Sequence, residues 1–108
     1  MVQQITPDEL AKRLRSGETI FLLDVRQPWE HEIVALAASR LIPLNELPER
    51  LDEVDPPKGV PVVVYCHHGI RSLTGAALLE QAGHREVYSL AGGIDLWSQL
   101  VDPSLPRY

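Results

Sequence analysis

The chain has 108 residues, with 10 Lys and Arg against 15 Asp and Glu for a formal charge of -5, and 44% apolar side chains. That length supports one core covered on two sides and is too short for two independent cores, so residues 1–108 read as a single domain with 101–108 as a C-terminal tail. The single cysteine excludes an internal disulfide, a CxxC redox pair and a cysteine zinc cage, and points to a reducing, cytoplasmic setting. The start, MVQQITPDEL, has no basic region followed by an apolar stretch, and the longest apolar run, Ile33 to Ala38, is far short of the roughly 18 residues of a spanning helix. No stretch clusters the Lys and Arg that nucleic-acid binding needs. The expectation is therefore neither a membrane nor a nucleic-acid partner.

Thr6-Pro7-Asp8-Glu9 reads as a helix start, with Thr6 and Glu9 in a capping box and Pro7 at the first helical position. The helix runs to about Arg15, and Gly17 ends it. Ile20 to Leu23 is a short apolar run expected to be a strand buried on both faces. Leu41-Ile42 reads as another brief strand stopped by Pro43, and Asn45 as the cap of a short helix carrying Leu47 and Leu51. After a turn at Asp55 to Gly59 comes the clearest strand, Val60 to Tyr65, continuous and β-branched as at the centre of a parallel sheet. From Arg71 the positions Leu73, Ala76, Ala77 and Leu79 recur at helical spacing up to Gly83. Glu86 to Leu90 supplies the last strand. This alternation implies an α/β fold, a central, mostly parallel sheet with helices on both faces and sites at the carboxyl ends of its strands.

Cys66 stands at such an end. In Val62-Val63-Val64-Tyr65-Cys66-His67-His68-Gly69-Ile70-Arg71-Ser72 the thiol lies between a buried strand and a helix start. The positive helix end, its unpartnered amides and the Arg71 guanidinium all favour thiolate over thiol. A loop curled from Cys66 to Arg71, with Gly69 taking the unusual backbone angles, aims successive amides inward as a nest for an anion. The ordinary fate of a lone cysteine is an inert place in the core, but such a residue needs neither the Gly turn nor the Arg. Cys66, His67 and His68 cannot converge on one ion at tetrahedral angles, and no distant Cys completes a set, so no metal is expected. The two imidazoles are read as polar loop side chains.

These residues resemble the rhodanese-like family of sulfurtransferases, single-domain type. Three segments carry the likeness: Leu22-Leu23-Asp24-Val25-Arg26-Gln27-Pro28-Trp29-Glu30, the Cys66 to Ser72 loop, and Ser89-Leu90-Ala91-Gly92-Gly93-Ile94-Asp95-Leu96-Trp97. The resemblance implies that Cys66 attacks the outer sulfur of thiosulfate or a persulfide donor and becomes a persulfide. It then passes that sulfur to cyanide or a thiol acceptor, a protein acceptor included. His67, His68, Gly69, Ile70, Arg71 and Ser72 would bind substrate, chiefly through the loop amides and the Arg71 side chain. No cofactor is implied, and the absence of a resolving cysteine suits the scheme. Asp24, Arg26 and Glu30 would support the site as a partly buried network, with Arg26 paired to Glu30 or another acid. Gly92 and Gly93 would allow a close turn beside the loop, and Trp97 would anchor the final helix in the core.

Two departures stand out. Glu32 to Arg40 lacks the Gly-His-Ile and Gly-Ala pairs of many members, and His67 stands where many have Arg, which makes the mouth less cationic. The main enzymatic rival is a cysteine phosphatase or arsenate reductase, whose loops are C-x5-R; four residues separate Cys66 from Arg71 here, a smaller cradle suited to a terminal sulfur. A non-catalytic regulatory or sulfur-relay module is the rival of another class, disfavoured by the retained cysteine.

Overall fold

The computed structural model describes residues 2–108. Its elements are β1 (Gln3–Ile5), α1 (Pro7–Arg15), β2 (Phe21–Asp24), α2 (Pro28–Ile33), β3 (Arg40–Leu41), β4 (Val62–Tyr65), α3 (Arg71–Gln81), β5 (Val87–Leu90) and α4 (Gly93–Leu100). Thr6 Oγ1 accepts the Glu9 N–H at 3.2 Å, and the Glu9 carboxylate accepts the Thr6 N–H at the same distance, the reciprocal cap that the sequence anticipates for α1. The strands form one parallel sheet in the order β1-β5-β4-β2-β3. Because β4 is central, its side chains feed cores on both faces. Val63 and Tyr65 pack with Leu10, Ile94 and Trp97 beneath α1 and α4, while Val62, Val64 and Cys66 pack with Ala76, Leu79 and Leu47 beneath α3. Burying each valine contributes about 1.5–3 kcal/mol, which is why the continuous apolar run selects the middle of the sheet.

The structure corrects several boundaries. The central strand begins at Val62 rather than Val60 because Pro61 has no N–H for the ladder; the Val62 N–H takes up the pairing, donating to the Glu86 carbonyl at 2.9 Å. The first long strand is Phe21–Asp24, and the edge strand is Arg40–Leu41. β1 was not expected at all, since Gln3 and Gln4 are exposed and only Ile5 turns into the core. Asn45 caps nothing. It accepts from Gln27 Nε2 at 3.3 Å, and the segment after it forms two 3-10 turns, Leu47–Glu49 and Leu51–Glu53.

A tight approach sets the position of α3. A Cβ at Gly75 would lie 3.2 Å from Val64 Cγ1 and 3.3 Å from Val25 Cγ1, so α3 rests almost directly on the sheet. Residues 101–108 fold back, with Leu105 and Tyr108 packed against the core beneath α4. Among the described residues no helix is long and apolar enough to cross a membrane.

Candidate active site

The carboxyl ends of β2, β4 and β5 lie side by side and deliver Arg26, Cys66 and Gly92 to one end of the sheet. The loop after β4 is clamped from behind by α4: the Ile94 N–H donates to the Cys66 carbonyl at 2.9 Å, and the Asp95 N–H donates to the His67 carbonyl at 3.1 Å. Gly93, with φ +62°, makes this clamp possible, because a Cβ there would strike both carbonyls. Gly69, with φ +93°, turns the loop; a Cβ on it would meet the Gly92 nitrogen at 3.0 Å.

With the carbonyls so held, amides turn toward the sulfur. Cys66 Sγ accepts the Gly69 N–H at 3.2 Å and the Ser72 N–H at 3.3 Å, and its S–H faces Ser72 Oγ at 3.5 Å. Ser72 Oγ lies 2.7 Å from Ser89 Oγ, and both serines are fully buried. Ser72 thus meets the sulfur through both its amide and its hydroxyl. Cys66 is only 1% exposed, so an incoming sulfur must arrive end-on or with a shift of the loop. Ile70, at the loop tip, is 75% exposed. The bonds to sulfur found among the described residues involve Gly69 and Ser72; His67, His68, Ile70 and Arg71 contribute no amide to Sγ.

Around the loop runs a charged network. The Arg71 guanidinium donates to both oxygens of the Glu30 carboxylate, at 2.7 and 2.9 Å. Glu30 also accepts the Tyr108 hydroxyl at 2.6 Å and the Gln27 N–H at 3.0 Å. Hydrogen bonding to Arg71, more than any other contact, holds the Glu30 carboxyl down at about 2, against the pull of burial. Arg26 takes Asp24, not the Glu30 side chain, as its acid: it donates to the two Asp24 oxygens at 2.9 and 2.7 Å, with both side chains fully buried. Arg26 also donates to the Tyr108 hydroxyl at 2.9 Å and the Val34 carbonyl at 2.6 Å, and His31 Nδ1 lies 2.8 Å from Asp24. Burial, reinforced by the bond to Glu30, pushes the Tyr108 phenol up to about 12.

Tyr108 continues the site in another way. Its ring stacks on His67 at 4.0 Å, and His67 stacks on His68 at 4.0 Å. Burial, then the neighbouring His68, lowers the His67 pKa. Trp97 lies in the core at 8% exposure, and Gly92, with φ +72°, precedes α4. Sequence reasoning gave no role to Ser89, Asp95 or Tyr108. Ser89 is a hydroxyl inside an apolar strand, which is a readable signal; Tyr108 meets Glu30 across 78 positions, which is not. Two cavities of about 380 and 390 Å³ lie elsewhere, one between the Pro56–Val60 turn and Gly83–Glu86, the other between Leu14, Leu36 and Trp97.

Comparison with known proteins places this geometry. The family model for the Rhodanese-like domain matches residues 6–100. A protein named sulfurtransferase from Allochromatium vinosum is 35% identical over 99 residues, covering 92% of this chain and 91% of that one. The probable adenylyltransferase/sulfurtransferase MoeZ of Mycobacterium tuberculosis is also 35% identical, over 96% of this chain but only 26% of its own length. Among solved structures, a rhodanese-related protein from Thermoplasma volcanium superimposes with a TM-score of 0.79 at 28% identity, covering 96% of this chain and 95% of that one.

Proposed function

Because the chain belongs to the rhodanese-like domain family, whose relatives named above support sulfur transfer, we propose that Cys66 carries a sulfane sulfur as a persulfide. The Cys66 thiolate attacks the outer sulfur of thiosulfate. The sulfur–sulfur bond of the donor breaks, sulfite leaves with its electron pair, and a Cys66 persulfide remains. Cyanide or an acceptor thiol then attacks the outer sulfur and releases the thiolate, so two modest displacements replace one direct transfer. The observation that carries this reading is the pair of amides, Gly69 and Ser72, aimed at Sγ at 3.2 and 3.3 Å. Their partial charges oppose the negative sulfur present before and after each step.

The remaining loop amides and Arg71 would meet the donor, and a protein thiol would serve as an acceptor. Fusion to adenylyltransferase in relatives such as MoeZ supports delivery to a protein partner. A non-catalytic relay or regulatory module is the alternative, and the retained, amide-held cysteine weighs against it.

The test is intact-mass analysis after incubation with thiosulfate. One added sulfur atom is expected, removable by cyanide or a reducing thiol and absent in Cys66→Ser. No adduct from thiosulfate or from any organic persulfide would overturn the reading. An adduct from persulfides alone would exclude thiosulfate as donor.

A further inference from the structure

One side-chain cluster has no part in the sulfur chemistry. His67 Nε2 lies 4.0 Å from one Asp95 oxygen and His68 Nε2 lies 3.7 Å from the other. Both separations are too long for hydrogen bonds. The His67 Nε2 atom is buried with no hydrogen-bond partner among the described residues, a state that native proteins rarely leave unresolved. We propose that His67, His68 and Asp95 form a binding site for one divalent transition-metal ion of the Zn²⁺ class, held by two imidazole nitrogens and a carboxylate oxygen.

The three ligand atoms already lie within 4.8 Å of one another. A tetrahedral ion with bonds of about 2.0–2.1 Å sets its ligand atoms about 3.3 Å apart, and the in-plane lone pairs of the stacked His67 and His68 rings do not converge, so His68 must swing off His67 to close the set. Its side chain, 62% exposed, has solvent to turn into, while His67 stays in place. Two imidazoles and one carboxylate suit Zn²⁺, Cu²⁺ or Ni²⁺, whereas Mg²⁺ and Ca²⁺ require more oxygen ligands.

Three adjacent residues on a tight loop cannot converge on one ion. Cys66 is not in this set, because its sulfur faces the Gly69 and Ser72 amides. The third ligand comes instead from α4, and the Asp95 N–H bond to the His67 carbonyl already fixes that helix to the loop. Stacking between Tyr108 and His67 holds one ring in place.

The site has an internal competitor. Arg107 donates to both Asp95 oxygens, at 2.8 and 3.1 Å, and an ion must displace it. Metal and Arg107 therefore bind Asp95 in opposition.

Calorimetric titration of the full chain with Zn²⁺, with Co²⁺ absorption as a second readout, tests the site. One ion per chain is expected, and Asp95→Asn and His68→Ala should each weaken it by at least about tenfold, the loss that changes to outer-shell partners alone can cause. Arg107→Met should tighten binding, a gain that misfolding cannot mimic. Cys66→Ser should bind as the parent does, and the Co²⁺ spectrum should lack a thiolate charge-transfer band. No binding, binding lost in Cys66→Ser, or binding indifferent to Asp95→Asn and His68→Ala would each overturn the proposal.

Discussion

The guanidinium of Arg71 lies on the carboxylate of Glu30 through two short bonds, although 41 positions separate the residues. The cation at the loop exit is thus already neutralised before any donor arrives. Glu30→Gln removes one negative charge from the rim of the anion cradle. Thiosulfate should then bind a few-fold more tightly, with a lower KM, while folding stability falls by about 1–3 kcal/mol as a half-buried, charge-assisted pair is lost. An unchanged KM would show that Arg71 does not sense the donor.

Acid should unfold the chain partly through the same carboxylate. Glu30 titrates near 2 in the folded protein against an ordinary value of 4.5. Its contribution is therefore complete above about pH 4.5 and disappears as pH falls toward 2, an effect of about 3 kcal/mol by linkage. Denaturant midpoints measured from pH 6 down to pH 2 should fall more steeply for the parent than for Glu30→Gln. Parallel curves would contradict the assignment.

Tyr108→Phe keeps the ring stacked on His67 but deletes the hydroxyl between Arg26 and Glu30. Two hydrogen bonds to charged groups go with it, and a loss of about 1.5–3 kcal/mol in chemical denaturation is expected. Trp29, whose ring meets Tyr108 edge-on at 5.8 Å, should keep its native fluorescence, because the packing survives. A changed emission maximum would mean that the hydroxyl also fixes the ring.

Gly93→Ala should be far more damaging than its size suggests. The added methyl group meets the Cys66 and His67 carbonyls, and the backbone sits at φ +62°. Strain of about 1–3 kcal/mol is expected from the backbone alone, with loss of persulfide formation as the loop is pushed off α4. A folded variant that still takes up sulfur at the parent rate would show that the clamp does not shape the cradle.

What the sequence revealed depended on the range of each interaction. The capping box of α1 and the valine run of β4 are written within a few neighbouring residues, so they were legible. The cysteine loop was legible too, since its turn glycine and exit arginine are local. β1 was invisible because its apolar signal is a single isoleucine and its strand character comes from pairing with β5. The network was half visible. Asp24, Arg26 and Glu30 were singled out, but which acid takes which arginine is decided in three dimensions: Asp24 reaches Arg26 across two positions, and Glu30 is left for Arg71. Tyr108 and Asp95 carry no local mark of what they touch.

Gly75 gives the cradle a remote adjustment. Helix α3 lies so close to Val64 and Val25 that a side chain at that position would force a small adjustment, and the first turn of the same helix supplies the Ser72 amide to the sulfur. Alanine there would gain roughly 1 kcal/mol of helix propensity yet lift the helix by a few tenths of an ångström. Aperture and robustness are thereby traded against each other by a single methyl group, about one turn of α3 beyond Ser72.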